Sequence, residues 1–163
     1  MSKILKSFGM AALLVALLAG TGMAGSTTTA TGDVVNSATV NVLDTDIGFG
    51  DFEIGDNTET TTGDSFINVA TNYNVVLQAA EAGGDGKMSV FVDPDTFTLD
   101  AALKVGIEAF AATAISGTAT TVSATITGGT DDDYDATFVQ TVAATDTKAD
   151  GYAATVTFTT TAA

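Results

Sequence analysis

Residues 152–159 read YAATVTFT: Tyr152, Ala154, Val156 and Phe158 alternate with Ala153, Thr155, Thr157 and Thr159. A period of two places successive side chains on opposite faces of an extended chain, so this stretch predicts a strand with one face inward and a threonine face in water. Threonine and valine suit such a pleated, half-buried surface. The same pattern recurs upstream. Ala136, Phe138, Gln140 and Val142 alternate with Thr137, Val139 and Thr141. Tyr73, Val75 and Leu77 alternate with Asn74, Val76 and Gln78, and Ile67 and Val69 alternate with Phe66 and Asn68. Ala38, Val40 and Val42, then Val122, Ala124 and Ile126, complete the series.

Between these runs stands turn chemistry: Gly48, Gly50, Gly55-Asp56-Asn57, Gly83-Gly84-Asp85-Gly86, Asp93-Pro94-Asp95, Gly128-Gly129 and Asp150-Gly151. Short strands broken at this spacing predict an all-β chain, a two-sheet antiparallel sandwich of the Ig-like or jelly-roll-like kind. Asp100–Ala114 admits two readings. Asp100 could cap a helix with Leu103, Ile107 and Phe110 on one face. Against that, Gly106 costs a helix about 1 kcal/mol relative to alanine, and Leu103, Val105 and Ile107 alternate cleanly with Lys104 and Gly106. The strand reading is preferred, with a short helical turn near Ala111 as its end. The expected core is Phe49, Ile67, Val69, Tyr73, Val75, Leu77, Val105, Ile107, Val122, Ile126, Phe138, Val142, Tyr152, Val156 and Phe158, taken from the inward set of each strand.

The N-terminus has a different character. Lys3 and Lys6 precede an uncharged apolar run, Met10–Ala19, followed by Gly22-Met23-Ala24. That order predicts a signal peptide over residues 1–24, cleaved after Ala24. A membrane anchor is the alternative, but a spanning helix needs about 20 apolar residues and this run ends at Gly20. Gly25–Gly32 (GSTTTATG) predicts a flexible arm, and residues 33–163 a single sandwich domain. The expected location is outside the cytoplasm: cell surface, extracellular or periplasmic.

Composition removes many chemistries. The chain has no histidine, cysteine, tryptophan or arginine. Histidine-based acid–base catalysis and a Ser-His-Asp triad are impossible, as are thiol chemistry and a bidentate guanidinium clamp. No serine sits in a nucleophile motif, and no phosphate-cradling glycine motif occurs. A catalytic carboxylate pair is easy to draw among 20 acids and therefore uninformative. From residue 25 onward, three lysines face all 20 acids, a net charge of −17. Such a surface repels nucleic acid and anionic lipid. No enzyme activity and no organic cofactor are expected.

One acidic run could hold an ion. Asp131, Asp132, Asp133 and Asp135 follow Gly128-Gly129-Thr130 and read as a loop between strands. Calcium takes six to eight oxygens, largely from carboxylates and loop carbonyls, so these four are the candidate ligands, with Asp93 and Asp95 or Asp44, Asp46 and Asp51 as supplements. The order lacks the terminal glutamate of an EF-hand loop. The other reading is an ordinary solvated turn.

Three stretches carry a resemblance: Asp46–Gly55 (DIGFGDFEIG), Ser65–Ala80 (SFINVATNYNVVLQAA) and Asp150–Thr161 (DGYAATVTFTTT). Together they resemble the spore-coat-U-like and secreted-pilin β-sandwich family and, more loosely, TasA/camelysin-like biofilm fibre subunits and archaeal bundling pilus proteins. The resemblance covers about half of the chain after residue 24. It implies a non-enzymatic surface or fibre subunit and offers no active site to carry over. Many spore-coat-U-like sequences have a cysteine in the stretch matching Ile67–Tyr73; its absence here speaks against chaperone–usher assembly more than against the sandwich. The expected function is thus a structural cell-surface protein, pilus-like or envelope-associated, that assembles with itself or with other surface proteins through its strands. A monomeric secreted binding or adhesion module, calcium-dependent or not, is the alternative.

Overall fold

The computed structural model describes residues 15–17, 26–28, 34–63 and 66–163. The chain falls into two units, residues 1–36 and Ser37–Ala163. In the first, β1 (Val15–Leu17) pairs antiparallel with β2 (Ser26–Thr28). The expected cleavage point, the rest of the expected signal peptide and most of the expected arm lie outside the described residues.

The second unit is all-β, and every ladder in it is antiparallel. Its strands are β3 (Ala38–Val42), β4 (Gly55–Thr60), β5 (Ile67–Thr71), β6 (Val75–Glu81), β7 (Lys87–Val92), β8 (Asp95–Ala102), β9 (Lys104–Ile107), β10 (Thr113–Ala114), β11 (Thr120–Thr121), β12 (Thr130–Tyr134), β13 (Ala136–Val142) and β14 (Val156–Ala162). They form a β-sandwich whose ladders, among the described residues, break into four sheets: β10-β9-β13-β4, β12-β5-β3, β11-β6-β14 and the hairpin β7-β8. No helix among the described residues is long and apolar enough to cross a membrane.

The inward sets read from the alternation meet in one core. Ile67, Val69, Val75, Leu77, Val105 and Val122 are fully buried, with Ile107, Ile126 and Phe138 nearly so. Phe49, Tyr73, Val142, Tyr152, Val156 and Phe158 are only half-buried and pack against its side. The stretch at Asp100–Ala114 is strand, not helix: the end of β8, then β9, a turn, and β10. Gly106 belongs there because a Cβ would stand 2.3 Å from the Phe110 carbonyl oxygen.

Two expectations are corrected. Gly55-Asp56-Asn57 is not a break but the start of β4, held in register against β13 from Val142 to Thr137. The turn signal was real but belongs to the Asn57 side chain: its Oδ1 accepts from Glu53 N–H at 2.9 Å, and its Nδ2 donates to Glu53 O at 2.8 Å. The aspartate run at 131–133 is not a loop either. It lies within β12, zipped onto β5 from Thr130 opposite Thr71 to Tyr134 opposite Ile67. Aspartate is rare in strands because it packs poorly there, but β12 is a sheet edge, where exposed charges also discourage pairing with another chain.

Elsewhere the period slips. Between Val122 and Ile126 the chain follows β6 irregularly: Val122 N–H bonds Leu77 O at 2.9 Å, and Ile126 N–H bonds Val75 O at 2.8 Å. The buried Ser123 hydroxyl takes the Leu77 N–H at 2.8 Å, and Ala124 is exposed instead of inward.

Candidate functional site

The four predicted ligand carboxylates do not converge. In a strand, neighbours point to opposite faces. Asp131 and Asp133 lie on the outer face, where the Asn68 side-chain amide donates to Asp131 Oδ1 at 3.1 Å and Asp133 Oδ1 at 2.8 Å. Asp132 is in register with the buried Val69 and shares the other face with Tyr134. Burial, first of all, pushes the Tyr134 phenol above its ordinary range; the Thr130 hydrogen bond lowers it, and the charges of Asp132 and Glu108 raise it further. Asp135 belongs to a third environment. Its Oδ1 accepts from the Thr61 hydroxyl at 3.4 Å, its N–H donates to Glu108 Oε1 at 2.8 Å, and Glu108 N–H donates to Asp135 O at 3.0 Å. Glu108 has a φ of 54°, a left-handed conformation unusual outside glycine, and these two bonds hold it there. Asp93 and Asp95 flank the β7–β8 turn, and Asp44, Asp46 and Asp51 sit on a different loop. The acids are therefore distributed among several surfaces.

The one buried carboxylate among the described residues is also committed. Glu81, 6% exposed, accepts N–H bonds from Gly83 at 2.6 Å, Gly84 at 2.8 Å and Gly86 at 3.3 Å. It caps the glycine turn after β6, and its oxygens face backbone donors, not a substrate.

A cleft of about 1330 Å³ forms where two long connections meet. Residues 43–54 lead from β3 to β4, and residues 143–155 lead from β13 to β14. In the first, Asp46 N–H folds back to Asp44 Oδ1 at 3.1 Å, and the rings of Phe49 and Phe52 pack with centroids 5.5 Å apart. In the second, Asp146 accepts from Asp100 N–H at 2.9 Å and Ala143 N–H at 2.7 Å, and the Tyr152 hydroxyl donates to Thr147 O at 2.8 Å. The first wall is thus held from within, and the second both from within and by Asp100 of β8.

The floor is the core itself: Phe66, Met88, Leu99, Leu103 and Phe138. Higher up stand Phe49, Val142, Tyr152, Val156 and Phe158. These are five of the six residues that alternation assigns to the core and the fold leaves half-buried; the sixth, Tyr73, lies elsewhere. The rim carries Asp44, Asp46, Asp51, Asp146 and Asp150 against a single cation, Lys148. Ile54, 75% exposed, projects beside it.

Two sheet edges run to this cleft. Among the described residues, β3 is bonded only to β5 and β14 only to β6. The two strands lie close together with no ladder joining them among the described residues. Each presents a row of backbone donors and acceptors on its outer side. The volume exceeds the range of about 300–1,000 Å³ common for small-molecule pockets. An apolar floor between strand edges can cover side chains and extend a ladder. Sequence reasoning missed the cleft because its walls are irregular connections, although the glycines at 48, 50 and 151 marked where they run.

No protein-family model matches the chain, and no curated protein or solved structure matches it either.

Proposed function

We propose that this is a non-enzymatic, exported structural protein of the cell surface, a fibre- or envelope-type subunit that assembles through its β-strands. The observation that carries this reading is the cleft: a group of core-type residues, Phe158 and Val156 among them, left half-covered between the edges of β3 and β14. An extended segment laid along a sheet edge satisfies the open backbone groups and buries the exposed side chains in one step. Burying apolar surface contributes roughly 25 cal/mol per Å², so a half-covered core favours a joint. The acidic composition and the absence of histidine, cysteine and arginine support a role without chemistry at its centre. The second reading, a monomeric secreted binding module, is favoured by the acidic rim, which suits capture of a cationic ligand.

The test is the oligomeric state of residues 25–163, followed by size exclusion and negative-stain imaging, alone and mixed with envelope components. Assembly that disappears when residues 25–32 are deleted, in a protein that stays folded, assigns the joint to the arm. A chain that remains monomeric at high concentration and with every envelope fraction overturns the subunit reading and leaves the binding module.

A further inference from the structure

We infer that the cleft accepts a cationic, apolar segment of a different protein, laid down as an extended strand beside β14. This rests on the reading of the cleft as a strand-accepting joint and adds the chemistry of the occupant.

The floor demands apolar side chains. Phe66, Leu99 and Phe138 close it from below, and Val156 and Phe158 stand half-exposed on the β14 wall. A segment with alternating apolar residues covers them while its backbone follows the open edge of β14. Of that strand's seven residues, the stretch from Val156 to Phe158 lines the cleft, about 10 Å of edge at about 3.3 Å per residue, and the rest of the strand continues beyond it.

The rim decides the charge. Five carboxylates surround an apolar depression and one lysine opposes them. A cleft lined by one sign of charge with low-dielectric walls concentrates its field at the mouth, favours counter-charged ligands and repels like-charged ones. The outward residues of the incoming strand are therefore lysine or arginine.

With residues 1–24 removed as a signal peptide, the reading taken above, a second copy cannot supply such a segment. From residue 25 onward the chain has no arginine, and its lysines are Lys87 in β7, Lys104 in β9 and Lys148 on the rim itself. The arm at 25–32 is uncharged. A neighbour of this sequence would bring 20 acids to an acidic mouth. The occupant is a different chain, and the joint is heterologous.

The experiment uses residues 25–163 and four labelled synthetic peptides: alternating lysine and valine, alternating glutamate and valine, alternating lysine and serine, and GSTTTATG. The expected result is saturable binding of the lysine–valine peptide only. It should weaken about tenfold or more between about 0.05 and about 0.5 M salt. Replacing the rim acids together (Asp46→Asn, Asp51→Asn, Asp150→Asn) should weaken it comparably, whereas removing three charges elsewhere (Asp85→Asn, Asp131→Asn, Asp133→Asn) should leave it unchanged. Circular dichroism confirms that both variants are folded. Equal loss in the two variants, or equal binding of lysine–serine, means ionic adsorption to an acidic surface and overturns the inference. Preference for GSTTTATG, or self-assembly without any peptide, overturns the cationic partner but keeps the joint. If no peptide binds and the protein stays monomeric, both the inference and the subunit reading fall.

Discussion

The ring of Phe66 meets that of Phe158 edge-on, with centroids 5.4 Å apart and planes at 71°. Phe66 makes the same kind of contact with Phe138, at 5.3 Å and 80°. One buried phenyl just ahead of β5 therefore ties β13 to β14, strands of two different sheets. Phe138 is 4% exposed, and Phe138→Ala should cost about 3–5 kcal/mol, as truncations of core phenylalanines do. Phe158 is half-covered, and Phe158→Ala should cost less than that, below about 3 kcal/mol. A double-mutant cycle on Phe66 and Phe158 should return a coupling of about 0.5–1.5 kcal/mol from the edge contact. Denaturant melts of the four proteins check this, and a coupling of zero would mean the two rings do not meet.

Glu81 holds the turn after β6 through three backbone N–H groups. Hydrogen bonds to a charged group contribute about 1.5–3 kcal/mol, and a buried donor left alone carries its own penalty. Glu81→Ala should therefore lower stability by about 2–3 kcal/mol. Two glycines, Gly86 in this turn and Gly129 just before β12, separate two effects. Gly86 has a φ of +75°, and a Cβ there would stand 1.9 Å from the Ile115 carbonyl oxygen, whereas Gly129, at +88°, opens onto space. Gly129→Ala should show only the left-handed strain of about 1–2 kcal/mol. Gly86→Ala adds a backbone clash and should be much worse, with unfolding midpoints as the readout.

Most of this core was legible because its strands obey a period of two. Val75 and Leu77, or Ala136, Phe138 and Gln140, point inward as their alternation requires. The hairpin β7–β8 was marked only by its Asp93-Pro94 turn, since the run from Lys87 to Val92 mixes buried Met88 with exposed Phe91. β12 was illegible for a physical reason: an edge strand needs only a backbone partner, and of its five side chains only Thr130 and Tyr134 are partly buried. The cleft was illegible as a site for another. Val156 and Phe158 read as core because strand period gives direction but not depth of cover, and the cover depends on where the connections at 43–54 and 143–155 run.

Two tyrosines should report on alkaline stability. Burial raises the Tyr134 phenol above its ordinary value near 10, and the charges of Asp132 and Glu108 act in the same direction. Burial also raises Tyr152, together with the charge of Asp146. A phenol whose folded pKa lies above its unfolded value favours the folded state in its neutral form. Stability from this source is complete below about pH 10 and is lost as pH rises through the folded pKa. Phenolate absorbance should therefore appear at higher pH in the native protein than in denaturant. Tyr134→Phe should reduce that gap. Coincident titration curves would contradict the placement of both rings.

Asn68 holds Asp131 and Asp133 together by donating to both, and this arrangement predicts how the protein responds to calcium. A hard cation needs six to eight oxygens. The outer face of β12 offers two carboxylates, while Asp132 is turned to the other face and Asp135 is bonded to Thr61 and Glu108. At −15 overall, the chain gains stability from any divalent ion that screens its self-repulsion. Calcium and magnesium at equal concentration should thus raise the melting temperature equally, and Asp132→Asn should not separate them. Asn68→Asp makes the argument sharper. It removes the donor and sets a third carboxylate beside the other two, so the variant should melt lower in chelator and recover more with calcium than the parent does. A parent protein stabilised by calcium far beyond magnesium, with the gain abolished by Asp131→Asn and Asp133→Asn, would show that the strand edge binds the ion after all.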